Sequence, residues 1–252
     1  MKLQDIDIHF DVQTDSKGKD PDSASPTLKA YHQLLWSKPL PNGQEMKLVI
    51  EKNCLKWGDL WFGCDSITAS FSHERFPLRK LVEQEIQNFA QFKKDYLHKT
   101  YTIGGSIIFP MHRWSMNQAR GCSVKVCDRW DLTLECIRRF YAGEPTPLDK
   151  ALEKDREFFG LFADFKGYID FFLLQDCVDE NYNVKFALET PRFVSMPMPK
   201  TLEEYRMWID SQIDFVTKRG KRIEEYIHKC GNSYNDNAKL HKQIGLWQIA
   251  LR

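Results

Sequence analysis

Two carboxylates, Asp20 and Asp22, flank a proline in the stretch KDPDSASPTLKAYHQLLWSKPLPNG. Acids alternating about a stiff turn can share a divalent cation, most naturally magnesium, through oxygen ligands. Directly after them Ser25-Pro26 reads as a cap with proline at the first helical position, and a helix start offers free N–H groups to an anion. The helix is expected to run from Pro26 to about Trp36, with Leu28, Tyr31 and Leu35 on its buried face. Lys29, His32 and Trp36 fall on one flank beside that face, and Lys38 follows. With Lys19 ahead of the turn, the stretch offers a metal pair at Asp20 and Asp22 and cations for phosphate at Lys19 and Lys38. His32 would be an acid–base near neutral pH, and Trp36 a flat ring for a base or sugar. The same residues serve equally as turn formers and caps, with Trp36 in the core.

A second polar cluster lies in SMNQARGCSVKVCDRWDLTLECIRR. Arg120, Lys125, Arg129, Arg138 and Arg139 crowd a span that also holds Asn117, Asp128 and Glu135. Arginine forks suit a bidentate grip on phosphate or carboxylate, and Gly121 lets the backbone approach a ligand beside Arg120. Asn117, Arg120, Asp128 and Arg129 are therefore read as ligand-binding, with Asp128 a further oxygen for the cation. The alternative is an internal ion-pair network, Asp128 with Arg129 and Glu135 with Arg138. Each cluster precedes a helix start, and Lys19 to Ser23 are expected to lie near Asn117 to Arg129 in space.

Sharper motifs are missing. IGGS lacks the lysine and spacing of a phosphate-binding loop and reads as a bulge or a close backbone approach. No G-x-S-x-G is present for a serine hydrolase. Arg222 and His228 have the spacing of some helical ribonucleases, but six residues at about 100° each put them on different faces of a straight helix. Cys122, Cys127 and Cys136 fit no common zinc spacing, and the seven cysteines, with no C-x-x-C pair, are expected to be free thiols.

The elements that must position these residues can be read from periodicity. Ile6, Ile8, Phe10 and Val12 alternate with polar residues, which predicts a half-buried strand over 6–12. Residues 46–71 read as a meander of short strands with a turn at Gly58-Asp59. Val82, Ile86, Phe89, Phe92 and Tyr96 predict one amphipathic helix over 79–98, and TYTIGGSIIFP a strand broken by its glycine pair. Later come a helix capped by Asp131 and stopped at Gly143, one opening at Thr146-Pro147 that carries Leu148, Leu152, Phe159 and Phe162, and one opening at Thr201. With strands before residue 126 and helices after it, the expected class is α+β: a single domain over 1–230, short mostly antiparallel strands in its N-terminal half and a helical C-terminal half. Residues 231–252 read as a polar, turn-rich tail.

Composition narrows the partners. Lys and Arg number 36 against 35 Asp and Glu, so no global field draws the chain to nucleic acid or an anionic membrane. The acidic MKLQDIDIHFD start is unlike a signal peptide, and the longest apolar run, FFLLQDCV, is too short to span a bilayer. A cytoplasmic protein is expected, with no membrane partner.

Three segments carry a resemblance: KDPDSASPTLKAYHQLLWSKPLPNG; IGGSIIFP through NQARG to DRWDLTLECIRRFYAGEPTPL; and FFGLFADFKGYIDFFLLQD. Across roughly Phe10 to Arg222 the chain resembles a family of bacterial stand-alone cytosolic proteins known only as a domain of unknown function. It departs from that pattern at Thr146, where the family has Ser, and at Gly63-Cys64, where a serine pair precedes the aspartate. The resemblance implies no activity. From the residues, the expected function is metal-assisted phosphoryl transfer or phosphodiester hydrolysis on a nucleotide or nucleic-acid end. A non-catalytic nucleotide sensor or protein-interaction protein is the alternative, and ADP-ribosyl transfer from NAD a further one.

Overall fold

Ser25 accepts a hydrogen bond from the Leu28 N–H and Pro26 follows it, so a helix begins where the cap chemistry asks. In this computed structural model, which describes residues 1–69, 76–188 and 193–250 (231–250 as backbone only), that helix is α2, Pro26–Trp36. The four-residue α1, Pro21–Ala24, precedes it, with Asp20 as its cap. The sheet follows: β1 Val49–Glu51, β2 Cys54–Trp57 and β3 Leu60–Ser66, joined to β4 Ser106–Pro110 in the antiparallel order β1-β2-β3-β4. Lys52-Asn53 takes positive φ at both positions, and Gly58 closes the next hairpin at φ +57°. Residues 70 and 71 of the expected meander lie outside the described residues.

Between β3 and β4 stand α3, Arg79–Glu85, and α4, Phe89–Thr100. The single helix expected here is split, because Asn88 sits in the left-handed region at φ +52°. After β4 come α5 Met116–Cys122, α6 Trp130–Tyr141, α7 Asp149–Lys154, α8 Arg156–Gly160, α9 Phe165–Phe171 and α10 Leu202–Ala250. The helix expected from Thr146 is likewise two, separated at Asp155, whose carboxylate is drawn to His112 at 2.6 Å. α6 starts at Trp130, so Asp131 lies in its first turn and is not its cap. The segment read as a turn-rich tail is helical backbone as far as Ala250, in continuation of α10; residues 251–252 lie outside the described residues. The architecture is α+β, with an antiparallel sheet in the N-terminal half and a helical C-terminal half.

Residues 6–12 are not a strand. Asp7 and Asp11 accept the backbone N–H groups of His9 and Gln13, each at 2.9 Å, and these local turns replace a ladder. The alternation of burial survives: Ile6, Ile8 and Val12 are buried between exposed or half-exposed neighbours. One buried cluster joins them to β3, β4, α6, the Phe158–Phe172 rings and Ile227 of α10.

Arg219 of α10, fully buried, ties the parts together. It donates to the carbonyls of Phe172 (3.0 and 3.2 Å), Gly104 (3.0 Å) and Ser106 (2.7 Å). Beneath it α10 packs so closely on Ile103–Gly105 that a Cβ on Gly104 would meet the Val216 carbonyl at 2.6 Å. The glycine pair is a close backbone approach.

Candidate active site

Arg120 is the floor of the site. Its side chain leaves α5 fully buried and covers the Trp130 ring at 5.6 Å. Nε donates to Thr133 Oγ1 at 3.2 Å, and Nη1 donates to Asp65 Oδ2 and to the Ser66 carbonyl at 3.1 Å. Nη2 donates to the Asp128 carbonyl at 3.2 Å and pairs with Asp128 Oδ1 at 3.1 Å. These contacts engage all three guanidinium nitrogens, so the fork expected to grip a ligand is held by the protein itself.

Asp22 arrives from the other side. Its Oδ2 accepts the Ser66 N–H at 2.9 Å, at the end of β3. Ser66 therefore carries Asp22 on its N–H and Arg120 on its carbonyl, and the two polar segments do converge, through the last strand of the expected 46–71 meander. Burial and the negative charge of Asp65 push the Asp22 carboxyl up to about 7. Burial raises Asp65 to about 6, against the pull of Arg120, so at neutral pH it remains a carboxylate paired with that arginine. Asp20 and Asp128 add their charges to these two. Tyr101, half-buried, is pushed up to about 12 by burial and then by all four acids.

The remaining expected residues separate. Asp20 is exposed and its side chain accepts the Asp22 N–H at 3.3 Å, so the pair read as a metal site is first of all a helix cap. Among the described residues no three His, Cys, Asp or Glu side chains form a group that could hold a metal ion. Asn117 faces the cluster from α5: its Nδ2 donates to the Cys64 carbonyl at 3.2 Å, and its buried Oδ1 has no partner among the described residues. Lys29, also buried, donates to the Ser23 carbonyl at 2.6 Å. Lys19 is exposed and lines a cleft of about 470 Å³ with Lys17, Ser16, Ser23 and Asn53.

Four expected ligand or catalytic residues are sealed in the core or spent on the fold. His32 is fully buried; its Nδ1 accepts the Trp36 indole N–H at 2.7 Å, which leaves the proton on Nε2, 3.0 Å from Ser106 Oγ. Burial holds its pKa down to about 3, so it is a neutral structural imidazole. Trp36 has no exposed surface and its ring packs against Phe171 and Phe172, so it stacks on no ligand here. Arg129, fully buried, grips Asp131 at 2.5 and 3.0 Å and donates to the Pro197 carbonyl at 2.8 Å. Arg120 thus pairs with Asp65 and Asp128, and Arg129 with Asp131 in place of the expected Asp128, while the expected Glu135–Arg138 pair forms at 2.8 Å. Lys38 donates to the Phe171 carbonyl at 2.6 Å, at the C-terminal end of α9, beneath the rings of Trp36, Phe171 and Tyr226. Burial lowers it to about 7. All seven cysteines carry free thiols, with Cys136 buried inside α6.

Asp65 is the residue that sequence reasoning missed. A signal was available: in β3 the buried Phe62 and Cys64 share one face, so period-two alternation places Asp65 on the other, toward the second cluster. No curated protein and no solved structure matches the chain. A model described as a family of unknown function (DUF6994) matches residues 6–223, most of the chain and every residue of this cluster. The chain belongs to that family.

Proposed function

We propose that the protein is an enzyme acting on a phosphate-bearing ligand, a nucleotide or a nucleic-acid end, with the Asp22–Asp65 pair as its reacting centre. The observation that supports this is the Asp22 carboxyl, raised to about 7 against Asp65 over Arg120. A general base works best with a pKa near the working pH, and crowded carboxylates reach such values at active sites. Asp22 would take a proton from water as the water oxygen attacks phosphorus and the bond to the leaving oxygen breaks. Asp65 stays ionised and oriented by Arg120.

Four acids repel a bare phosphate. Magnesium is commonly held by one or two carboxylates together with substrate phosphates, without a dedicated protein cage. The substrate is therefore a magnesium–phosphate complex, and the cation arrives with it. Lys17 and Lys19, in the cleft whose chain brackets Asp20 and Asp22, supply cations for the phosphate oxygens.

The test is phosphate release from magnesium complexes of nucleoside tri- and diphosphates and from end-phosphorylated oligonucleotides. Asp22→Asn should lower turnover by about 10²–10⁴-fold with the fold intact. No turnover of any of these by the wild-type protein would refute the enzyme reading. A second reading, binding without turnover, is favoured by one observation: the sealed His32 and the saturated Arg120 leave few groups free for chemistry. It expects Asp22→Asn to keep its affinity for the same complexes.

A further inference from the structure

A second cavity, of about 200 Å³, opens between α10 and the start of α6. α10 gives it Trp208, Ser211, Gln212 and Phe215, the i, i+3, i+4, i+7 positions of one helix face. Trp130 and Phe186 stand among the other walls, so rings from three parts of the chain border one space. The volume exceeds the 150 Å³ at which an apolar cavity admits benzene, which leaves room for a fused pair of rings.

Its polar groups select further. The Trp208 indole is already satisfied by the Ala69 carbonyl at 2.9 Å. The Trp130 indole N–H reaches only the Cys177 sulfur, at 3.3 Å, among the described residues. Burial pushes that thiol up to about 12, so it stays protonated and is a poor acceptor. A good donor is thus held by a weak partner at the wall of the cavity. The rim carboxylates are already neutralised: Asp176 is gripped by Arg222, both bonds at 2.9 Å, and Asp214 pairs with Lys218 at 2.6 Å. Apart from Lys185, which also lines the cavity, nothing in this arrangement calls for a charged ligand.

We propose that this cavity binds a neutral, flat heteroaromatic ring system carrying a hydrogen-bond acceptor, of the size of a purine base. The inference does not rest on the acid cluster or on the proposed phosphate chemistry. Calorimetric titration of the full chain tests it, with adenine as one probe and indole, a fused ring with no good acceptor, as the other. Adenine should bind saturably at one site per chain. Ser211→Phe and Ala187→Leu, which fill the cavity from separate walls, should each weaken it roughly tenfold or more. Trp130→Phe keeps the ring and removes the donor, so adenine should lose roughly tenfold, the value of one hydrogen bond, while indole is unchanged. The proposal is overturned if the wild-type chain binds neither probe, or if both filling variants bind adenine normally. Should those variants fail to fold, the Trp130→Phe comparison decides: equal effects on adenine and indole overturn it.

Discussion

Arg120 shows how a residue picked for ligand chemistry can be consumed by the fold. Each of its three nitrogens donates to a protein acceptor, and lysine offers fewer donors without the planar fork. Arg120→Lys should therefore destabilise the chain by about 2–3 kcal/mol, seen as a fall in Tm of about 5–10 °C without any ligand. A mutant melting like the wild type would return Arg120 to the ligand. Asp22 makes a prediction of the opposite kind. Its folded pKa is raised from 3.8 to about 7, so between those values the native state keeps a proton that the unfolded chain has released. Stability from this group is greatest at low pH and falls as pH rises through the window, by at most about 1.4 kcal/mol per unit. Asp22→Asn should flatten that slope in denaturant titrations across pH 4 to 8; an unchanged slope would mean Asp22 titrates as a free carboxyl. Asp22, Asn117, Arg120 and Asp128 were legible in the sequence as polar residues beside helix starts. Asp65 was not, because a lone aspartate in a strand announces its face but not its partner. His32 and Trp36 misled because a helix flank next to the buried face is indistinguishable, in sequence, from the buried face itself.

Caps and breakers carried the element-level reading furthest. Ser25-Pro26 set the start of α2, and Gly58-Asp59 set the β2–β3 turn. Periodicity without a breaker failed at Asn88, which takes a positive φ, and at Asp155, which pairs with His112. Over residues 6–12 it gave the burial correctly and the backbone wrongly, since alternating apolar residues fit any chain that shows two sides. The Gly104-Gly105 pair is where one element decides the position of another. A Cβ on Gly105 would lie 2.0 Å from the Thr100 carbonyl, and one on Gly104 would strike the α10 backbone. Either alanine substitution should cost about 3 kcal/mol or more, as overpacking does. Chemical denaturation of each mutant measures it, and a loss below about 1 kcal/mol for Gly104→Ala would show that α10 can move away freely.

At the scale of the molecule, α10 joins the sheet to the helical half: one buried cluster reaches from Ile6 to Ile227 of α10, and a second packs Phe76, Val82 and Tyr96 against Tyr205, Trp208 and Ile209 of the same helix. The chain should unfold in one transition, with tryptophan fluorescence and far-ultraviolet dichroism coinciding. Arg219→Met, which strips the partners from buried carbonyls of Phe172, Gly104 and Ser106, should lower the midpoint of both probes together; two separated transitions would divide the molecule. This long-range closure also assembles the site, since Asp22, Asp65 and Arg120 come from α1, β3 and α5: Arg120 pairs directly with Asp65, and Asp22 joins them through Ser66. The most direct test of that centre is carboxyl-carbon NMR of Asp22, titrated with and without magnesium–ATP. The predicted result is a midpoint near 7 in the free protein that falls when the complex is added. A midpoint below about 5 with no response to magnesium–ATP would contradict it.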